Sequence, residues 1–159
     1  MRRKDREITQ INDIIGILDR AEVLRIALNN GDFPYILPVN FGYERVGENL
    51  VLFFHGSNEG EKHAIIEKDN RVTFEVDCGH KLIIPDGKEA CSASFAYESI
   101  IGQGIMEKAA EEEKPRLLSA LLMHYGIVGD KFNSALLAKT AVYKIKVLRY
   151  TAKRRQADK

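Results

Sequence analysis

Val72-Thr73-Phe74-Glu75-Val76-Asp77-Cys78 is the stretch whose reading decides the fold. Apolar residues at 72, 74, 76 and 78 alternate with polar residues at 73, 75 and 77. That period of two belongs to a strand with one face in a core and the other toward water. The same reading extends downstream. Ser94–Met106 predicts a long strand, with Gly102 and Gly104 marking a bend or bulge, and Ala141–Tyr150 predicts the last one. Upstream, Leu24, Ile26 and Leu28 share one side of a strand over Val23–Leu28. After the turn Asn29-Asn30-Gly31-Asp32, Tyr35, Leu37, Val39, Phe41 and Tyr43 alternate along a strand over Tyr35–Tyr43. Gly47-Glu48-Asn49 forms the next turn and Leu50–His55 a third strand, which together predict an antiparallel meander.

Helical spacing interrupts this pattern in three places. Ile8, Ile11, Ile14, Ile15 and Leu18 predict an amphipathic helix over Ile8–Asp19. A short helix is expected over about Glu61–Asp69. A third spans Glu111–Tyr125, with an acidic first turn that suits the helix dipole and Pro115 near its start. Residues 79–91, rich in Gly, Pro and charge, are expected to form the longest loop. About six strands in mostly hairpin order, with few helices, predict an α+β fold built on a closed or nearly closed antiparallel barrel. No linker or internal repeat divides the chain, so residues 1–159 are expected to form a single domain.

Composition narrows the function classes. The chain has 159 residues, 45% hydrophobic and 30% charged, with no Trp and a net charge of +1. That balance excludes collagen-like and disordered chains. The two ends together carry +6, whereas the body carries −5. A nucleic-acid binder should carry its positive charge on the body, so nucleic acid is not expected as a partner. No apolar run reaches ~18 residues, so no membrane helix is expected. The charged start lacks an apolar signal region. Cys78 and Cys91 do not make a disulfide framework, which points to a reducing cytoplasm. With His80 they lack the paired spacing of a zinc site, so no metal is expected; Cys78 is expected to pack as a small hydrophobe. His63, four residues before Glu67, reads as a solvated helical pair, and His124 as a helix C-terminal residue. The Leu117, Leu118, Leu121 and Leu122 stripe reads as core.

Two segments carry candidate chemistry. In Phe54-His55-Gly56-Ser57-Asn58-Glu59-Gly60-Glu61-Lys62 a strand ends, a polar turn exposes backbone amides, and a helix begins with Lys62 in its first turn. Unpaired amides, a helix N-terminus and a lysine suit a phosphate. The same residues also read as an ordinary N-cap with a solvated lysine, and Glu59 and Glu61 oppose an anion unless they point away. The P-loop pattern is absent. In Pro34-Tyr35-Ile36-Leu37-Pro38-Val39-Asn40-Phe41, proline places the strand at an edge, where neighbouring backbone can face a ligand or simply solvent.

Five ordered blocks resemble one family: Met1-Arg2-Arg3-Lys4-Asp5-Arg6-Glu7-Ile8; Pro34-Tyr35 with Pro38-Val39-Asn40-Phe41; Phe54-His55-Gly56 with Gly60-Glu61-Lys62; Tyr97-Glu98-Ser99-Ile100-Ile101-Gly102; and Ala152-Lys153-Arg154-Arg155. Together they resemble the nitroimidazole-resistance branch of the pyridoxamine 5′-phosphate oxidase-like flavoproteins. The resemblance implies a split β-barrel that binds FMN, as a homodimer with two flavin sites at the interface. It implies that Pro38, Val39, Asn40 and Phe41 lie along the isoalloxazine ring. His55, Gly56, Ser57 and Lys62 would hold the phosphate end, and Ser99 and Ile100 would approach from the later strand. His55 is the implied proton donor in reduction of a nitro compound, or else a residue that only packs on the cofactor. The implied activity passes electrons from NADH or NADPH to a small oxidised acceptor such as a nitroaromatic; the alternative is a flavin or haem carrier without turnover. The basic ends are expected to fold back near the anionic cofactor or a partner subunit.

Overall fold

The structure is a computed structural model that describes residues 3–84, 93–129 and 131–156. Eight strands make one sheet: β1 (Glu7–Ile8), β2 (Leu24–Leu28), β3 (Tyr35–Val39), β4 (Phe41–Val46), β5 (Asn49–Ser57), β6 (Arg71–Ile83), β7 (Ser94–Lys108) and β8 (Thr140–Arg155). Four α-helices accompany them: α1 (Ile11–Arg20), α2 (Glu61–Lys68), α3 (Lys114–His124) and α4 (Ser134–Ala138). All pairings are antiparallel, as the α+β reading requires.

The strand order is β3-β2-β6-β7-β8-β5-β4, with β1 added beside β8. The edges of this path are β3 and β4, yet Asn40 alone separates them in sequence. A sheet whose two edges are joined by one residue has to curl until those edges meet. The result is a barrel open along the β3/β4 seam. This corrects the expected meander: Tyr35–Tyr43 is two strands on opposite edges. Pro38 lies on the edge strand β3 opposite Arg25, where its missing N–H breaks no ladder.

The inward residues fill the barrel. Leu24, Ile26, Phe41, Leu52, Phe54, Phe74, Val76, Ile100 and Ile145 are buried in one cluster, which Ile14, Ile17 and Leu18 of α1 join. Each such side chain contributes about 1.5–3 kcal/mol by leaving water. α3 covers the outer face of β5 and β8, where Leu117, Leu118 and Leu121 pack on Phe53 and Val142. α3 lies so close to β4 that a Cβ on Gly42 would overlap the Phe53 ring and come within 3.0 Å of the Leu121 Cα. The expected bulge is present, with the β7–β8 register shifting between Gln103 and Gly104.

Several expected boundaries move. β5 runs past His55 to Ser57, and β8 runs past Tyr150 to Arg155. Glu7–Ile8 is a strand, and the first helix starts at Ile11. Glu111–Glu113 is a 3-10 turn, with Pro115 in the first turn of α3. The expected loop at 79–91 begins later, because β6 runs through a bulge between Cys78 and Lys81 to Ile83. Residues 85–91 of that loop, Cys91 among them, lie outside the described residues. α4 was not expected, and its cap Asn133 accepts hydrogen bonds from the Ala135 and Leu136 amides. The basic ends draw each other in: Glu7 and Ile8 pair with Lys153 and Ala152. Arg154 binds Asp13 and Glu98, and Arg20 binds Glu98 at 2.5 Å. Cys78 is buried against α1, and that desolvation raises its thiol pKa. Among the described residues no helix is long and apolar enough to cross a membrane.

Candidate functional site

The turn after β5 forms a compact frame. Gly60 has φ +119°, which side chains rarely allow, and it sets the start of α2. The Asn58 N–H donates to Lys139 O, and the Asn58 carboxamide donates to Ala138 O at 2.8 Å. The turn is thereby tied to the end of α4. The Glu59 N–H donates to Ser57 Oγ. Among the described residues the Gly60, Glu61 and Lys62 amides donate to no carbonyl or side chain. Three free N–H groups at a helix N-terminus attract an anion.

The Lys62 ammonium lies over the same turn. Its Nζ donates to Ser57 O at 3.0 Å and Glu59 O at 3.1 Å. The Lys62 side chain lies over Gly56, where a Cβ would sit in ordinary contact, 3.5 Å from Lys62 Cε. Partial burial lowers the ammonium pKa. Glu61 turns toward the β2–β3 turn, 3.4 Å from the Asn30 carboxamide. One of the two acids that opposed an anion thus points away.

His55 sits next to this frame on the outer face of β5, opposite Val142. Surrounding atoms desolvate its imidazole and lower its pKa. The β4–β5 register ends at Phe41 opposite Phe54, and the exposed Asn40 lies just beyond it, at the joint between β3 and β4. The end of β5 and the start of α2 thus hold His55, Gly56, Ser57 and Lys62, while Asn40 lies one residue past the end of the β4–β5 ladder. Pro38 is exposed on the outer face. Val39 and Phe41 turn inward, Phe41 being fully buried.

Ser99 and Ile100 lie elsewhere. Ser99 pairs with Lys153 of β8, whereas Ser57 pairs with Thr140. Thirteen residues of one strand separate the two points, roughly 40 Å of contour. Ile100 points into the core, which leaves Ser99 as the outward member.

Three residues that sequence reasoning missed support these segments. His63, expected to be solvated, has its Nε2 3.0 Å from Ser57 O and its Nδ1 against the Tyr143 hydroxyl. Tyr125 bridges the seam: its hydroxyl accepts from the Phe41 N–H at 3.0 Å and donates to Glu22 O at 2.7 Å. His124 contacts Ala21 O at 2.9 Å rather than capping its own helix. The adjacency of His63 to Lys62 was the only sequence signal, because pairing with Tyr143 depends on strand register.

A barrel split along one seam defines the split-barrel class of α+β proteins. The family model for pyridoxamine 5′-phosphate oxidase matches residues 11–154, and the chain belongs to that family. A candidate 5-nitroimidazole antibiotic resistance protein from Bacteroides thetaiotaomicron is similar at 27% identity, with a TM-score of 0.79 over 93% of this chain and 86% of that one. This agrees with the resemblance drawn from the sequence blocks. Two further structures share the fold. A flavocytochrome from Azotobacter vinelandii is 18% identical, with a TM-score of 0.79 over 99% of this chain and 72% of that one. A FAD and haem binding protein from Mycobacterium smegmatis is 20% identical, with a TM-score of 0.77 over 97% and 76%. No curated protein matches the chain significantly.

Proposed function

We propose that this protein is an FMN-binding oxidoreductase that passes electrons from a reduced nicotinamide to a small oxidised acceptor such as a nitroaromatic. The observation that carries the cofactor reading is the turn at 56–62. Three free amides and an ammonium belong to that one segment, which suits the dianionic phosphate that distinguishes FMN from riboflavin. The family and the nitroimidazole-resistance relative support the class of acceptor.

A bound flavin supplies the two-electron redox chemistry, while the protein supplies binding, orientation and electrostatics. Lys62 and the Gly60–Lys62 amides hold the phosphate. Asn40 offers a carboxamide, donor and acceptor together, to a flat heteroaromatic edge. His55 holds a proton at its imidazole for the acceptor.

A homodimer completes the site in this reading. In one chain Ser57 and Ser99 lie against opposite ends of β8, and in this reading they serve different flavins. The outer face of β3, β2, β6, β7 and β8 leaves Ile36 63%, Ile101 48% and Leu148 62% exposed. A second copy seated there covers these residues and lets each flavin draw on the turn of one chain and β7 of the other.

The absorption spectrum of the purified protein tests the reading. It predicts a flavin spectrum that bleaches with NADH or NADPH and returns on addition of a nitroaromatic. A colourless protein that takes up no added FMN contradicts it, and a Soret band assigns haem instead.

A further inference from the structure

We propose that His63 and Tyr143 are positioning residues that set the phosphate preference of the 56–62 turn, an inference that rests on the FMN reading above. The geometry fixes the direction of each hydrogen bond. Ser57 O is a carbonyl and only accepts, so His63 Nε2 at 3.0 Å must carry the proton. In the neutral imidazole Nδ1 is then a bare acceptor, and the Tyr143 O–H donates to it. The chain runs Tyr143 O–H to His63 Nδ1, and His63 Nε2–H to Ser57 O. It ends on the carbonyl that also receives Lys62 Nζ.

Each member is anchored independently. Tyr143 is 3% exposed and stacks on Phe54, with ring centroids 5.4 Å apart and planes at 20°. Phe54 is fully buried in the barrel. Its position is thus fixed by the core. His63 is on α2, only one residue past Lys62, and its own N–H donates to Gly60 O. The imidazole therefore transmits the position of the rigid barrel wall to the turn. It clamps the Ser57 carbonyl, with Lys62 Nζ as that oxygen's second donor. A clamped carbonyl keeps the ammonium at the turn, on Ser57 O and Glu59 O, rather than letting it swing into solvent.

This role predicts a specific defect. The clamp acts where a phosphate binds and touches nothing that a flavin ring would use. Loss of the clamp should weaken FMN and spare riboflavin. The experiment is fluorescence titration of flavin-depleted wild type, His63→Ala, His63→Gln and Tyr143→Phe with FMN and with riboflavin. His63→Ala should bind FMN about tenfold more weakly and riboflavin unchanged, a ratio that one well-placed hydrogen bond to a charged site accounts for. His63→Gln, whose amide reaches Ser57 O, should recover most of the loss. Tyr143→Phe keeps the stack on Phe54 and removes the donor, so it should fall in between. An equal fall for both flavins makes His63 a general structural support and overturns the inference, as does no change in either. A wild type that shows no preference for FMN over riboflavin overturns the FMN reading itself, and the inference with it. Matched thermal melts of the flavin-depleted variants identify any that fail to fold, and the remaining variants then decide.

Discussion

His55 shows how much a single side chain leaves open until its surroundings are known. Its place on a strand, just before a glycine, was legible, although that strand runs two residues further than expected, to Ser57. Its link to nitro-compound chemistry is what the family resemblance implies. Its protonation was not legible, because desolvation depends on which strands crowd it. Desolvation by the surrounding strands lowers its pKa from the ordinary value of about 6.5, which favours the neutral imidazole. If His55 delivers the proton, the rate of nitro-acceptor reduction rises as pH falls, with the rising limb below about 6.5. His55→Gln should flatten that limb. A limb that survives the substitution, or one centred above 6.5, removes His55 from proton delivery. His63 presents the opposite case. Its spacing to Glu67 suggested a solvated pair, whereas the imidazole turns toward Ser57 O and Tyr143. Nothing local in the sequence encodes that choice, since Tyr143 comes to His63 through the pairing of β5 with β8.

At the scale of elements, the alternation in β6 was readable because one face packs in the barrel along Val72–Cys78. Beyond Cys78 the strand continues with mostly exposed residues, so the period fades and a loop was expected. The break at Asn40 was hidden for a different reason. Tyr35, Leu37, Val39, Phe41 and Tyr43 all pack toward the same core on both sides of the break. The hydrophobic phase never changes, although the chain crosses from one sheet edge to the other. The joint between α2 and β6 carries a stability prediction. Asp69 accepts from the Arg71 N–H, the Arg71 guanidinium and the Asn29 carboxamide, tying the β2–β3 turn to the start of β6. The hydrogen-bonded guanidinium of Arg71, then Asn29, holds the carboxyl well below the usual range. Its folded pKa is below its unfolded value of about 3.9, so its contribution is present above that value and is lost as pH falls further. Asp69→Asn should lower the melting temperature at pH 7 and make the acid limb of stability shallower. An unchanged acid limb would show that the carboxylate is not coupled to folding.

For the whole molecule, the barrel class was legible from alternation and short turns, and the family from five ordered blocks. The closure of the sheet was not, because strand order is a long-range property. The separation of Ser99 from Ser57 along β8 likewise emerges only from register. It is the reason the proposed site draws on two copies. Ile101→Lys places a charge on the outer face proposed for the second copy and should make the proposed dimer monomeric in light scattering, with loss of bound flavin. A wild type that is monomeric and still holds flavin contradicts the shared-site account.

The most direct measurement of the central claim is a titration of flavin-depleted protein with FMN, repeated with Lys62→Ala. The account predicts saturable binding of one FMN per chain, weakened about tenfold or more in Lys62→Ala through loss of a charge-assisted contact to phosphate. Binding that is equal in the two proteins would contradict a phosphate site at 56–62, and no binding to wild type would contradict the flavoprotein reading altogether.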